Sequence, residues 1–199
     1  LWQKKFGGRY DGKGNRVKIL YVLGSFYPAQ SGGPNNTTYW AAKELARRGA
    51  DVTVASLKDG LTPEHLEGHA LDLDRENRFE GICAWYFDYK KNRYHSFSMF
   101  RWLLANAKRY DMVNLTSIFF PWSWLTAFLC ILYRVPFSIA PRGELEPNAF
   151  RYSKGKKELM SMIFLKRLMA RARFVMVTSQ QEERYSRSFF PRSMAFETV

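Results

Sequence analysis

Cysteine is scarce in this sequence: its 199 residues include two, Cys83 and Cys130. Both lie inside apolar runs (ICAWYF and AFLCILY), which predicts buried, reduced thiols in a cytoplasmic protein. A secretory signal is not visible either, because residues 1–16 are basic, glycine-rich and polar. We interpret residues 1–16 as an N-terminal polar extension and expect the protein to be cytoplasmic.

Histidine is also rare, with three copies. His65 and His69 are four residues apart beside two glutamates, a spacing that would suit a metal ion on a helix. A third ligand cluster is not obvious, and Gly68 weakens a helix at this point. His95 is solitary, and no Ser-His-Asp or Cys-His motif stands out. The sequence therefore predicts no metal site and leaves the catalytic residues unknown.

Acidic residues are few: the sequence has 18 Asp and Glu and 31 Lys and Arg, which gives a formal net charge of +13. An excess of this size favours a polyanionic partner, which could be nucleic acid, acidic lipid or a phosphorylated small molecule. Low-complexity segments are missing, and an apolar content of 46% excludes a disordered chain. The length fits one ordinary α/β domain with its own core.

Long apolar runs are interrupted. A long uncharged run, residues 115–133, nominally reaches the length of a membrane span. Pro121 near its start and three hydroxyl side chains break it. We therefore predict a buried helix over residues 122–133 and no membrane span.

Strand and helix patterns alternate along the chain, which is typical of a parallel α/β sheet. Continuous β-rich runs predict strands over residues 17–24, 51–56, 82–89, 112–115, 136–140 and 174–178. Helices are predicted over residues 36–48, 97–108, 122–133 and 156–171, and after Ser179. Asn36 or Thr37 is the predicted cap of the first helix, and Glu182 follows Ser179 at capping-box spacing. Residues 57–81 are predicted as an excursion with a short helix, and residues 17–199 as one Rossmann-like parallel sheet with helices on both faces.

The loop after the first strand reads GSFYPAQSGGPNNTT. Its glycines are too far apart for a dinucleotide fingerprint, and it lacks the Gly-Lys-Ser/Thr of a P-loop. Gly32 and Gly33 do stand just before a helix, where free backbone N–H groups and the helix dipole favour a phosphate. A flexible surface loop remains the alternative on these residues alone.

Two blocks of the sequence resemble glycosyltransferase family 4, the retaining enzymes of GT-B fold. The first is KILYVLGSFYPAQSGGPNNTTYWAAKELARRGADVTVAS, with the family's aromatic-Pro-x-x-x-Gly-Gly loop. The second, APRGELEPNAFRYSKGKKELMSMIFLKRLMARARFVMVTSQQEERYSR, resembles the family's Pro-Arg-Gly loop, basic helix and strand-Thr-Ser-helix. Together the blocks cover roughly half of the chain in the family's order.

The resemblance implies a two-domain enzyme in which this chain is the N-terminal, acceptor-side domain and the C-terminal donor domain is absent. It implies that the N–H groups of Gly32 and Gly33 bind the diphosphate of a nucleotide-sugar, the co-substrate of a reaction that needs no metal or cofactor. Other residues placed in the cleft or at the acceptor are Asn35, Asn36, Thr116, Arg142 and Gly143. For Arg142, a local ion pair with Glu144 or Glu146 is the alternative.

The expected reaction moves a hexose, with retention, to a lipid-linked or polysaccharide acceptor in bacterial cell-surface glycan synthesis. The natural protein is expected to be longer than this chain, and the chain alone to be inactive. One departure from the family concerns its His-x-His pair after the fourth strand, where Asn114 and Thr116 stand here. Neither side chain carries a proton near neutral pH, although both can hydrogen-bond a sugar hydroxyl.

The basic helix predicted over residues 156–171 is apolar almost all the way round. Its second apolar surface must meet a neighbouring element, the missing domain or lipid. A mixture of basic and apolar residues suits the surface of an anionic membrane, so we predict peripheral attachment to the inner face of the cell membrane. The predicted contacts are Lys154, Lys156, Lys157, Lys166 and Arg167. Internal packing is the alternative for this helix.

Two other functions remain open on the residues. The first is a non-catalytic Rossmann-like module that binds a nucleotide or an anionic membrane or polymer, which the missing histidines favour. The second is nucleic-acid binding, which rests on the positive charge alone and has no motif to support it. We therefore expect no nucleic-acid partner.

Overall fold

The computed structural model describes residues 16–29, 32–89, 95–146 and 164–198. The strands are β1 (Lys18–Leu23), β2 (Asp51–Leu57), β3 (Glu76–Phe79), β4 (Ile82–Phe87), β5 (Met112–Thr116), β6 (Phe137–Ala140), β7 (Phe174–Val177) and β8 (Phe196–Thr198). The helices are α1 (Gly33–Arg47), α2 (Pro63–Gly68), α3 (Phe97–Asn106), α4 (Pro121–Tyr133), α5 (Lys166–Met169) and α6 (Gln180–Arg187), and a 3-10 turn (Ala107–Arg109) follows α3.

All eight strands form one sheet in the order β3-β4-β2-β1-β5-β6-β7-β8. Every neighbouring pair is parallel except β3 and β4, which form an antiparallel hairpin at one edge. This is the predicted Rossmann-like α/β fold. Central strands such as β5 are buried on both faces, which explains their continuous apolar runs.

Helices cover both faces of the sheet. On one face, Ile19, Tyr21 and Leu23 of β1 pack in a core with Ala42 of α1. On the other, the alternating β1 side chains pack in a larger core with residues of α3, α4 and α5. β2 lies on one side of β1 in the sheet and β5 on the other. The helices that connect the strands on these two sides therefore pack on opposite faces of the sheet.

Two strands that the sequence analysis missed are β3 and β8, both at sheet edges. β3 (ENRF) has almost no apolar residues, and β8 has three residues, so neither gives a pattern that periodicity detects. The short helix predicted in the excursion is α2, which Thr62 caps by accepting a hydrogen bond from the backbone N–H of His65. Of the helix predicted over residues 156–171, only the part from residue 164 lies within the described residues.

Burial departs from prediction at two places. Cys130 is buried, but Cys83 is only partly buried, because it pairs in register with Arg78 of the edge strand β3. The helix α4, predicted to be buried, exposes Phe128 and Leu132 at 54% and 60%. Across the parts of the chain that the structure describes, no helix has the length and apolar character needed to cross a bilayer.

Candidate functional site

The carboxyl ends of β1, β5 and β6 lie side by side at one edge of the sheet, since the three strands are parallel neighbours. The connections after β1 and β5 leave in opposite directions, and such a switch point opens a crevice in which α/β proteins bind ligands. The loops after the two strands touch here, because a Cβ added to Gly24 would lie 3.6 Å from the ring of Phe120. Most of the residues predicted for the site lie around this crevice.

The N-terminus of α1 has no side-chain cap. The helix begins at Gly33, three or four residues before the predicted caps Asn36 and Thr37, and its N-cap is Gly32 with φ 103° and ψ 178°. The early start has a physical reason, since Pro34 has the backbone angle of a first turn already fixed. The first N–H groups of a helix have no partner within it, and neither glycine supplies an acceptor. The helix therefore presents donors and its positive dipole end to an anion.

Asn35 and Asn36 differ in what they do. Asn35 is buried, and its Nδ2 donates to the Oγ of Ser25 at 2.6 Å and to the carbonyl of Ala29 at 3.0 Å. It thus holds the loop after β1 against the start of α1. Asn36 is exposed beside it. Of the two predicted cleft residues, Asn36 is therefore the one whose side chain is accessible to a ligand.

The loop after β6, residues 141–146, is tied to the loop after β5 by a carboxylate. Glu144 accepts from the hydroxyl of Ser117 at 2.5 Å and from the backbone N–H of Ile118 at 2.5 Å. Ser117 has φ 99°, a conformation that is costly for a residue with a side chain and that tends to occur at functional sites. The contact fixes the carboxyl ends of β5 and β6 relative to each other.

A second carboxylate, that of Glu182 in α6, holds the other side of the same loop. Its two oxygens accept from the backbone N–H of Gly143 at 2.8 Å and from that of Thr178 at 2.7 Å. Ser179 caps the helix as predicted, accepting from the backbone N–H of Glu182 at 3.1 Å. The Glu182 side chain does not complete a capping box with the N–H of Ser179, and its 4% exposure marks it as a buried clamp.

Arg142 lies in the same loop, and neither of these two carboxylates forms an ion pair with its guanidinium among the described residues. Its φ is 54°, and its Nε is buried with no hydrogen-bond acceptor. Neither Glu144 nor Glu146 forms an ion pair with it among the described side chains, so the predicted local alternative is not formed. Burial lowers the pKa of the guanidinium, and the neighbouring Glu182 carboxylate opposes that shift. A partly buried, unpaired Arg is suited to bind a phosphate or carboxylate.

Asn114 and Thr116, which replace the family's histidines, are buried in β5. Asn114 is 0% exposed, and its Nδ2 donates to the Oγ of Ser138 at 2.9 Å and contacts the Sδ of Met176 at 2.8 Å. The hydroxyl of Thr116 donates to the Oδ1 of Asn114 at 3.3 Å. In this structure Asn114 joins strands β5, β6 and β7. Thr116, the predicted acceptor contact, lies at the carboxyl end of β5 beneath the crevice.

Two of the five predicted membrane contacts, Lys166 and Arg167, lie within the residues that the structure describes. Lys154, Lys156 and Lys157 lie outside the described residues. Lys166 has its Nζ 5.5 Å from the ring centre of Phe189, a cation–π contact that directs it towards the segment after α6. Arg167 is exposed.

A cavity of about 380 Å³ lies between Tyr27 and Pro28 of the loop after β1 and the residues of β3 and the segment before it. Its polar lining is largely satisfied by the chain itself. Asn77 bonds to Asp72 in both directions, and Glu76 pairs with Arg78 at 2.5 Å. We therefore do not include it in the candidate site.

Residues 32–195 match the profile of the Glycosyl transferase 4-like domain. The chain belongs to this family. The match begins at the N-cap glycine of α1 and runs through α6, so the crevice of this glycosyl transferase 4-like domain lies almost entirely within it. No curated protein sequence matches the chain.

Among solved structures, Anabaena Alr3699/HepE in complex with UDP superposes with a TM-score of 0.60 at 17% identity, over 92% of this chain and 43% of that one. UDP-N-acetylglucosamine 2-epimerase from Rickettsia bellii gives a TM-score of 0.49 at 10% identity, over 90% and 44%. The E. coli structure described as "Trehalose-6-phosphate … bound with UDP-2-fluoro glucose" gives 0.45 at 10%, over 85% and 41%. This glycosyl transferase 4-like domain therefore spans less than half of each of these proteins, and its fold is that of the N-terminal half of a GT-B enzyme.

Proposed function

We propose that this chain is the acceptor-side domain of a retaining hexosyltransferase, which moves a sugar from a nucleotide-sugar to a lipid-linked or polysaccharide acceptor. In this proposal the enzyme acts in bacterial cell-surface glycan synthesis, at the inner face of the membrane. Gly32, Gly33 and Arg142 face the donor diphosphate. Asn36, Gly143 and Thr116 lie on the acceptor side of the crevice.

One observation carries the proposal. The uncapped N-terminus of α1 follows β1, and Arg142, whose buried Nε has no acceptor, follows β6, with β5 between the two strands. The buried Nε–H is a cost to the fold without a ligand, because unpaired donors and desolvated charges are unfavourable, and the exposed N-terminus of α1 is accessible to one. A diphosphate supplies the acceptor oxygens and the negative charge that both groups lack.

The chemistry follows from where charge develops. The bond between the anomeric carbon and the diphosphate oxygen breaks, and a bond from the acceptor oxygen to the same carbon forms on the same face of the sugar. The acceptor's hydroxyl proton passes to the leaving phosphate, which gains negative charge as the old bond breaks. Backbone N–H groups and the Arg142 guanidinium stabilise that charge without having to reorganise. This role requires no protonatable side chain at Asn114 or Thr116, and the nucleotide-sugar is the only co-substrate.

Diphosphate binding is tested on this chain by ¹H–¹⁵N NMR titration with UDP, with pyrophosphate as a second probe. We expect the largest shifts at the amides of Gly32 and Gly33 and at the Nε–H of Arg142. Arg142→Gln should remove most of these shifts, whereas Arg47→Gln, an exposed residue of α1, should leave them unchanged. Shifts confined to other parts of the chain would refute the assignment.

Turnover is tested on the product of the natural gene. Reading the gene beyond the codon for Val199 should reveal about 150 to 200 further residues that form a second α/β domain. That longer protein should release UDP from a UDP-hexose and extend a membrane-derived glycan acceptor. A gene that stops at Val199, or a complete protein that binds UDP without transferring sugar, would favour the non-catalytic binding module.

A further inference from the structure

Large apolar side chains that are exposed to solvent concentrate on one side of the sheet. Among the described residues there are seven, and six belong to the helical layer formed by α3, α4 and the start of α5: Phe97, Phe100, Phe128, Ile131, Leu132 and Phe164. The seventh, Trp40, lies on α1 on the opposite face. The inward sides of these three helices already form the larger core. The layer is therefore apolar both inwards and outwards.

The outward residues form aligned stripes. Phe128, Ile131 and Leu132 are spaced i, i+3 and i+4, which places them on one face of α4. Phe97 and Phe100 have the same relation on α3. The ends of the two helices are joined, since the hydroxyl of Tyr133 donates to the carbonyl of Leu104 at 3.3 Å. The stripes thus lie on adjacent helices of one surface.

Basic residues dominate the charge on this surface, although the carboxylate of Asp74 lies against α3, where it accepts from the hydroxyl of Ser98. Asp and Glu do not occur in residues 97–110, 112–143 or 164–181. The same segments carry exposed cations at Arg101, Lys108, Arg109, Arg134, Arg167 and Arg171. Acidic residues reappear in α6, but Glu182 is buried and Glu183 is paired with Arg187.

We propose that the layer of α3, α4 and α5 is a docking surface for an anionic lipid bilayer. Exposed Phe, Ile and Leu side chains enter the boundary between headgroups and acyl chains, and the surrounding Lys and Arg contact acidic headgroups. A second copy of the chain would instead bring two predominantly cationic surfaces together, which repel. The proposal rests on the membrane location in the proposed function, and it moves the contact from the predicted 154–167 segment to a surface that includes α4.

Vesicle co-sedimentation tests the proposal with the whole chain. We expect binding to phosphatidylglycerol/phosphatidylcholine vesicles, weakened by salt, and little binding to phosphatidylcholine alone. The double substitution Phe128→Ser and Leu132→Ser should weaken binding at least about tenfold. Trp40→Ser is the matched control, since it removes an equally exposed aromatic side chain from the opposite face and should leave binding unchanged.

Other outcomes overturn the proposal. Equal loss in the Trp40 variant, or equal binding to neutral vesicles, would refute a specific anionic docking face. A wild-type dimer that the double variant converts to monomer in light scattering, with vesicle binding unchanged, would assign the face to a second copy. UDP titration of the same variants separates this proposal from the proposed function. Intact UDP binding without vesicle binding rejects only the docking face, and vesicle binding without UDP binding rejects only the diphosphate site.

Discussion

The glycine pair before α1 allows a test that separates a loss of ligand binding from a loss of stability. Gly33 is the first residue of the helix, its φ is not positive, and a Cβ added to it would meet no heavy atom within 4 Å outside the adjoining residues. Pro34 disfavours a helical backbone at a preceding residue that has a Cβ, whereas loss of backbone freedom in the unfolded chain favours folding by about 0.4 to 1 kcal/mol. The two effects of Gly33→Ala oppose each other, so its free energy of unfolding should stay within about 1 kcal/mol of wild type. For a domain of this size, each kcal/mol corresponds to about 2 to 4 °C in Tm.

The same methyl group occupies the space through which a diphosphate would approach the first N–H groups of the helix. A hydrogen bond to a charged group contributes about 1.5 to 3 kcal/mol, so losing one should weaken UDP binding about tenfold or more. Gly32→Ala should weaken UDP binding too, but with a larger loss of stability than Gly33→Ala. Its φ of 103° with ψ of 178° belongs to a region open essentially to glycine alone, and occupying it costs a residue with a side chain about 1 to 3 kcal/mol.

The measurements are urea denaturation for stability and NMR titration for UDP affinity, on the two variants and the wild-type chain. Both variants should bind UDP weakly, and Gly32→Ala should be the less stable of the two. If Gly33→Ala binds UDP with unchanged affinity, the pair does not hold the diphosphate. If Gly33→Ala is as unstable as Gly32→Ala, the two glycines do not have the different backbone conformations that the structure gives them.

Three further predictions concern residues inside the fold. Glu182→Gln turns an amide donor towards a backbone N–H and should lower the free energy of unfolding in urea by about 1 to 3 kcal/mol. Glu183→Gln, which breaks a partly exposed ion pair, should change it by no more than about 0.5 kcal/mol. Equal losses in the two variants would show that Glu182 does not hold the loop after β6. Cys130 is fully buried and burial raises its thiol pKa to about 12, so at pH 8 iodoacetamide should label Cys83 first and reach Cys130 only in denaturant, as mass spectrometry would reveal. Asn114→Ala should lower the free energy of unfolding by about 1 to 3 kcal/mol and leave UDP shifts in place, and a loss of those shifts with stability unchanged would argue for a direct role in binding.

Much of the fold follows from local patterns in the sequence. The strands of the central sheet are continuous apolar runs because helices cover both of their faces, and Gly49, which follows the C-cap of α1, has φ 92°, a conformation open to glycine. Edge strands β3 and β8 escape detection because they lack that coverage. The exposure of α4 is also not predicted, because a sequence that is apolar all round a helix normally indicates burial. The sequence of α4 does not reveal what covers its second side.

The site was predictable only in part. Gly32, Gly33 and Arg142 are predicted through their position in a recognisable order of motifs, and their binding role stays a prediction. The clamping carboxylates Glu144 and Glu182 were missed, because they contact backbone groups 26 and 39 residues away. Contacts at such separations leave no periodic signal. The spacing of Ser179 and Glu182 did indicate a helix start, but not the longer reach of the carboxylate to Gly143.

The two carboxylates that grip the loop after β6 have a consequence for the entropy of binding. Their hydrogen bonds join the carboxyl ends of β5, β6 and β7 through one short loop. Conformational freedom in that loop is lost when the chain folds, so a ligand that binds Arg142 or Gly143 does not have to order it again. The amides of Ile118, Gly143 and Thr178 should then exchange with solvent as slowly as those of the adjoining strands. This part of the crevice is preorganised, and its geometry should be nearly the same with and without a ligand.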